Sequence, residues 1–304
     1  GFVGSQISET RNNMPGAIYI ENASDIIFER NIFAGLGASG IIMEAGASDN
    51  IVLGNVFDDI AAGGIIVDRS RVPNPSDSRA VSRGNKILNN YITRVSQEYS
   101  SAGIGALYVD NLLVEHNELY DMPYSGVAVG WGWSTNPTQS RDNIIRYNKI
   151  HNVMNLLDDG AGIYTLSMQP GTHIFENYLH DFARSQWASS FPVAGIYLDQ
   201  GSDSMTVENN IIENVPNALE VFLHRASNNT IIDQSGITDD PSPSTPSLNT
   251  IINNGNINPT AIKANAGLES AYQDIVGGSS TLPPPTGTTL PPAPTNLTSS
   301  CNAA

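Results

Sequence analysis

The sequence predicts an all-β chain wound as a right-handed parallel β-helix, a solenoid with a short C-terminal helical cap and a Pro/Thr-rich tail. Three observations carry this expectation. Glycine recurs at Gly16, Gly40, Gly64, Gly103, Gly126, Gly162 and Gly195, and Ala218 opens a weaker copy. Asparagine follows at Asn31, Asn55, Asn90, Asn117, Asn148, Asn177, Asn210 and Asn229. Between these points lie short runs of strand character, such as Gly16 to Glu21 (GAIYIE) and Ile26 to Phe33 (IIFERNIF). A period in the twenties built from such runs is the mark of a solenoid. No stretch carries a sustained 3.6-residue apolar stripe and no leucine framework is present, so helical and leucine-rich repeats are excluded.

The strand after each glycine fixes which residues face out. Ile41 and Met43, Ile65 and Val67, Val127 and Val129, Ile163, Ile196 and Leu198 occupy its odd positions and point into the rod. The even positions then stack as two outward columns spaced about 4.8 Å per coil. The first is read as Ile42, Ile66, Ala128, Tyr164, Tyr197, Glu220, and the second as Glu44, Asp68, Gly130, Leu166, Asp199, Phe222. The asparagines have two roles available: αL backbone at the turns, and amide hydrogen bonds from coil to coil.

Three longer insertions, Arg69 to Arg83, Trp131 to Arg141 and Phe182 to Pro192, are expected to rise from the rod and wall a cleft. Ala261 to Val276 is expected to form a helix covering the open end, because open solenoid ends expose core and unpaired strands. The repeat is already running near Gly1, so residues 1–276 read as a β-helix domain lacking its N-terminal part. Residues 277–294 read as a Pro/Thr/Gly linker, and 295–304 as the start of a possible fibronectin type III-like module.

The chain has 304 residues, 40% of them hydrophobic, and a net charge of −16. That balance argues against nucleic acid as a partner, and no apolar run is long enough to insert in a membrane. The single cysteine, Cys301, allows no internal disulfide. The acidic, Asn-, Ser- and Gly-rich composition favours a secreted protein, and cysteine avoidance fits a secreted bacterial protein as well as a cytosolic one. The histidines show no metal-ligand spacing, so neither a metal nor a cofactor is expected. The oligomeric state is left open.

Toward the C-terminal coils the outward face collects Tyr164, Tyr197, Asp199 and Glu220, with Trp131 and His224 beyond the strand ends and Asp158 and Asp159 before one strand. Carboxylates and aromatics on one face beside long loops describe a carbohydrate site. By strand geometry Asp199 and Glu220 would be roughly 8 Å apart, within the range of inverting glycosidases. Of the adjacent Asp158 and Asp159, one is suited to carry a raised pKa and serve as general acid, or to form an Asx turn into Gly160.

The phrases DMPYSGVAVGWGW, RDNIIRYNKIHNVMNLLDDGAGIYTLSMQPGT and GIYLDQGSDSMTVENN resemble the β-helix domain of glycoside hydrolase family 141 over about residues 12 to 276. That resemblance implies a secreted bacterial enzyme on plant cell-wall polysaccharides, with α-L-fucosidase- or xylanase-like activity. It also implies an aspartate pair, matched here by Asp159 and Asp199. The catalytic candidates are therefore Asp199, Asp159 and Glu220, and the substrate-binding candidates Tyr164, Tyr197, Trp131, Trp133, Asp158 and His224.

Two other functions compete with a polysaccharide hydrolase. A non-catalytic extracellular rod, such as an adhesin, fibre or surface component, fits the modular tail. A polysaccharide lyase or epimerase fits the fold but needs a basic residue at the site, and the only lysines are Lys86, Lys149 and Lys263.

Overall fold

The computed structural model describes residues 15–242 and 247–277. The expected linker and module start lie beyond Gly277, outside the described residues. Three parallel sheets run the length of the rod. The first has nine strands, among them Ser39–Glu44, Ile104–Ala106, Val127–Val129, Gly160–Thr165, Val193–Leu198 and Val221–His224. The second also has nine strands and the third has seven, and every coil passes through the sheets in the same order.

The inward set is as the alternation dictates. Ile41, Met43, Ile65, Val67, Val127, Val129, Ile163, Ile196 and Leu198 are all fully buried in one continuous core. The repeated glycine has a steric cause. A Cβ at Gly126 would stand 2.7 Å from the Gly162 carbonyl oxygen and 2.7 Å from Ile150 Cγ2. Neighbouring coils are too close there for any side chain.

The register corrects the first and last repeats. Ile18 pairs with Ile41, so Ala17 rather than Gly16 stands opposite Gly40. Ile196 pairs with Val221 and Tyr197 with Phe222, so Glu220 rather than Ala218 takes the place of the repeated glycine. The short 3-10 turn Pro216–Ala218 absorbs the intervening residues.

The asparagine row is a ladder of amides. Each Oδ1 accepts from the backbone N–H and from Nδ2 of the asparagine one coil earlier, as from Asn90 to Asn117 at 2.9 and 3.0 Å. The ladder runs from Asn31 to Asn210 and ends on Gln234. Asn229 belongs to a second ladder at another corner, bonded to Asn249 as Asn50 is to Asn85. The expected αL role falls on the preceding residue: Arg30, Asn89, His116, Tyr147, Glu176, Asn209 and Asp233 have positive φ, and the ladder asparagines do not.

The C-terminal segment is helical, as α-helix Pro259–Asn265 and 3-10 helix Ser270–Gly277. It lies along the flank of the rod rather than across its end. Lys263 pairs with Glu213 near one end, the Gly267 oxygen meets His116 Nδ1 at 3.0 Å, and Asp274 meets Arg30 at 2.7 Å near the other. Leu268 and Ile275 pack on Val56 and Tyr91, giving the strap its own small apolar seam.

Candidate active site

The outward face of the first sheet explains where a hollow forms. In register, its first column reads Ile42, Ile66, Gly105, Ala128, Tyr164, Tyr197, Phe222. Gly105 and Ala128 are small, with Ile66 on one side and Tyr164 on the other, so the face dips. A hollow opens there, lined by Leu107, Tyr124, Trp131, Trp133, Tyr164 and Leu166 together with Asp159. Two of the insertions meet beside it: the Gln139 N–H donates to the Pro73 oxygen at 2.9 Å, and the Arg71 guanidinium lies 5.0 Å over the Trp131 ring.

The two tryptophans are presented by glycines with left-handed backbone, Gly130 (φ 103°) and Gly132 (φ 92°). A Cβ at Gly130 would come within 2.0 Å of the Leu166 oxygen, so glycine is required for this turn. Trp131 and Trp133 pack edge to face with centroids 5.0 Å apart, and Trp133 keeps half its surface open.

Asp199 stands in the second outward column, level with Leu166, and is 6% exposed. The Tyr164 hydroxyl donates to its Oδ2 at 2.5 Å, and the Gln200 N–H donates to its Oδ1 at 2.7 Å. Burial, then the Asp199 charge, holds the Tyr164 phenol far above its ordinary pKa. Asp159 sits half-buried at the left-handed turn into Gly160–Thr165. Burial raises its carboxyl to about 6, and the charges of Asp199 and then Asp158 add to the effect.

Other expected residues take different places. Glu220 does not join the outward columns. With Phe222 level with Tyr197, the residue level with Asp199 is His224, and Glu220 instead bonds Ser235 Oγ at 2.5 Å. The separation expected between Asp199 and Glu220 therefore does not apply. Phe222 moves correspondingly from the second column to the first. Tyr197 is only 2% exposed and packs at right angles to Tyr164 from the next coil, so its ring braces Tyr164 from the side and is not free to stack on a sugar. Asp158 turns to the third insertion, accepting from Ser189 Oγ at 2.8 Å with Arg184 at 3.5 Å. His224 is held by Asp240 at 2.7 Å and lies near enough to Asp159 to oppose the rise of its pKa.

Tyr124 went unforeseen: its hydroxyl donates to the Asp159 backbone oxygen at 2.7 Å and its ring lines the hollow. Its signal was the DMPYSG phrase, where it stands two residues before a repeated glycine. The lysines are elsewhere, Lys149 on Glu118 and Lys263 on Glu213, with Lys86 on the second sheet. Among the described residues no group of three or more His, Cys, Asp or Glu side chains is placed to hold a metal, and no helix is long and apolar enough to cross a membrane.

A family model described as "right handed beta helix region" matches residues 76–257, more than half of the chain. The chain belongs to the right-handed β-helix family. Among solved structures, this β-helix protein is similar to one titled "Glycoside hydrolase", at 29% identity and TM-score 0.67. The alignment covers 85% of this chain and 41% of that one, so this β-helix spans well under half of its neighbour's length. It is also similar to PfbA, a surface adhesin of Streptococcus pneumoniae, at 15% identity and TM-score 0.45, covering 78% of this chain and 57% of that one. No curated protein sequence matches it.

Proposed function

We propose that this β-helix is a glycoside hydrolase acting on an extracellular polysaccharide, with Asp159 as general acid and Asp199 as its carboxylate partner. The observation that carries the reading is the carboxyl of Asp159. It lines an aromatic-walled hollow, pushed up to about 6, beside an Asp199 clamped by Tyr164. Two carboxyl groups with different environments are what glycoside hydrolysis uses. Asp159 gives its proton to the glycosidic oxygen as the C1–O bond breaks. Asp199 either attacks C1, to be released later by water, or takes a proton from the water that attacks C1. Trp131, Trp133 and Tyr164 offer ring faces to the sugar. The structural likeness to a glycoside hydrolase supports the reaction class.

Secretion follows from such a substrate, which does not enter cells. Fucose- or xylose-releasing activity on plant cell-wall polymers, implied by the family resemblance, is the first to assay. The test is a product screen on plant cell-wall oligosaccharides with the wild type, Asp159→Asn and Asp199→Asn. Sugar release lost in both variants supports the assignment. Release that survives both removes the pair from the mechanism. No release by folded wild type turns the reading to a sugar-binding rod, and an unsaturated, ultraviolet-absorbing product turns it to a lyase.

A further inference from the structure

The third insertion, between Phe182 and Val193, carries the most exposed large apolar side chain among the described residues, Trp187 at 78%, together with Phe191 at 56%. Single exposed apolar residues are ordinary on protein surfaces. This loop differs in how firmly it is built. Both roots are fixed, Phe182 and Val193 lying in the core and the Gly160 N–H donating to the Pro192 oxygen at 3.3 Å. Its middle is tied by Arg184, whose guanidinium donates to the Ser189 oxygen at 2.5 Å and the Phe191 oxygen at 2.8 Å. The same guanidinium faces Asp158 Oδ2 at 3.5 Å, and Ser189 Oγ donates to that oxygen at 2.8 Å. The Trp187 N–H is held by Ser185 Oγ at 3.1 Å. Arg184, Ser185 and Ser189 are thus bonded within the loop or to Asp158, and the Trp187 and Phe191 rings are left exposed.

We propose that this loop is a stacking platform for a sugar ring of the substrate chain, distinct from the ring held in the hollow. The proposal rests on the hydrolase reading and adds that the substrate is a chain longer than the two units flanking the cleaved bond. Trp187 and Phe191 do not line the hollow, so a ring on them is not the one that meets Asp159. The loop is nevertheless anchored to the residue before Asp159, so a chain leaving the hollow on that side runs onto it. The loop backbone that carries the rings is held by its own hydrogen bonds, so binding does not have to order it. A neutral pyranose face suits two exposed rings whose one neighbouring cation, Arg184, is already engaged by Asp158 and loop carbonyls. Arg184 and Asp158 act as positioning residues, holding the rings at a fixed height beside the acid.

The test compares wild type, Trp187→Ala and Phe191→Ala on soluble xylan and xyloglucan, and on the 4-nitrophenyl glycoside of the sugar released. A roughly tenfold fall in kcat/KM on the polymer, with less than a twofold change on the short glycoside, is expected. Equal losses on both substrates, or no loss on either, overturn the platform. A binding readout separates it from the catalytic assignment: mobility in native gels cast with xylan, xyloglucan or pectin. Retardation of wild type that persists in Asp199→Asn and disappears in Trp187→Ala supports the platform even without turnover. Retardation unchanged in Trp187→Ala, or absent for wild type with all three polymers, overturns it.

Discussion

The Tyr164 hydroxyl reaches across one coil to Asp199, and the pair repeats at the other end of the same face. There the Tyr19 hydroxyl donates to Glu44 at 2.8 Å, again from the first outward column to the second column of the next coil. Stacked coils bring these positions together wherever both residue types occur. Only the Tyr164 pair adjoins the hollow. Tyr164→Phe leaves the ring packed on Tyr197 and removes one of the hydrogen bonds that orient the Asp199 carboxylate. The expected outcome is a kcat lower by roughly ten- to a hundredfold with KM nearly unchanged. A change confined to KM would mean that the hydroxyl binds the sugar rather than orienting Asp199.

With Asp159 as the proposed general acid, its raised pKa would set the alkaline limb of activity. A general acid must keep its proton, so kcat/KM is expected to fall as pH rises through about 6. Asp158→Asn removes one of the like charges that raise this group and leaves the Arg184 cation less compensated. Both changes favour ionised Asp159, so the limb moves to lower pH. A pH–rate profile of the two proteins decides it; a limb that moves up would contradict the assignment.

Much of this was legible in the sequence because a solenoid turns spacing into position. Gly126 and Ile163 are each forced by contacts with a neighbouring coil, and such contacts leave a periodic trace. Legibility ended where periodicity did. Glu220 replaces the repeated glycine after a 3-10 turn, so counting from Ala218 shifted the last coil by two residues and put a glutamate where Phe222 stands. Gln234 ends the amide ladder with a longer side chain, which no search for asparagine finds. The flank position of 259–277 depends on Asp274 meeting Arg30, residues 244 apart, and local patterning carries no trace of that pairing.

The amide ladder should be strongest in its interior. Asn117 is fully buried: its Oδ1 accepts from the N–H and Nδ2 of Asn90, and its own Nδ2 donates to Ile87, Glu115 and Asn148. Asn117→Ala strands several of these partners without water and is expected to cost roughly 2–4 kcal/mol. Asn31→Ala, at the exposed end of the same ladder, is expected to cost under about 1 kcal/mol. Urea unfolding of the two variants measures the difference, and equal losses would argue against the ladder as a source of stability.

Asp68 gives a pH-dependent test of stability away from the proposed chemistry. It is 1% exposed, its Oδ1 accepts from the Ser70 N–H at 2.6 Å, and burial followed by the Glu44 charge raises its carboxyl to about 7. The folded protein therefore holds this proton up to about pH 7, whereas the unfolded chain releases it near the ordinary value of about 4. The stabilising contribution is complete below about pH 4 and is lost as pH rises through about 7. Asp68→Asn keeps an acceptor for Ser70 and removes the buried charge. At pH 8 the variant is expected to be more stable than wild type by roughly 2–4 kcal/mol, and at pH 4 nearly equal to it. Thermal melts at the two pH values check this. A variant less stable at pH 8 would mean that the carboxylate has a partner that compensates its burial.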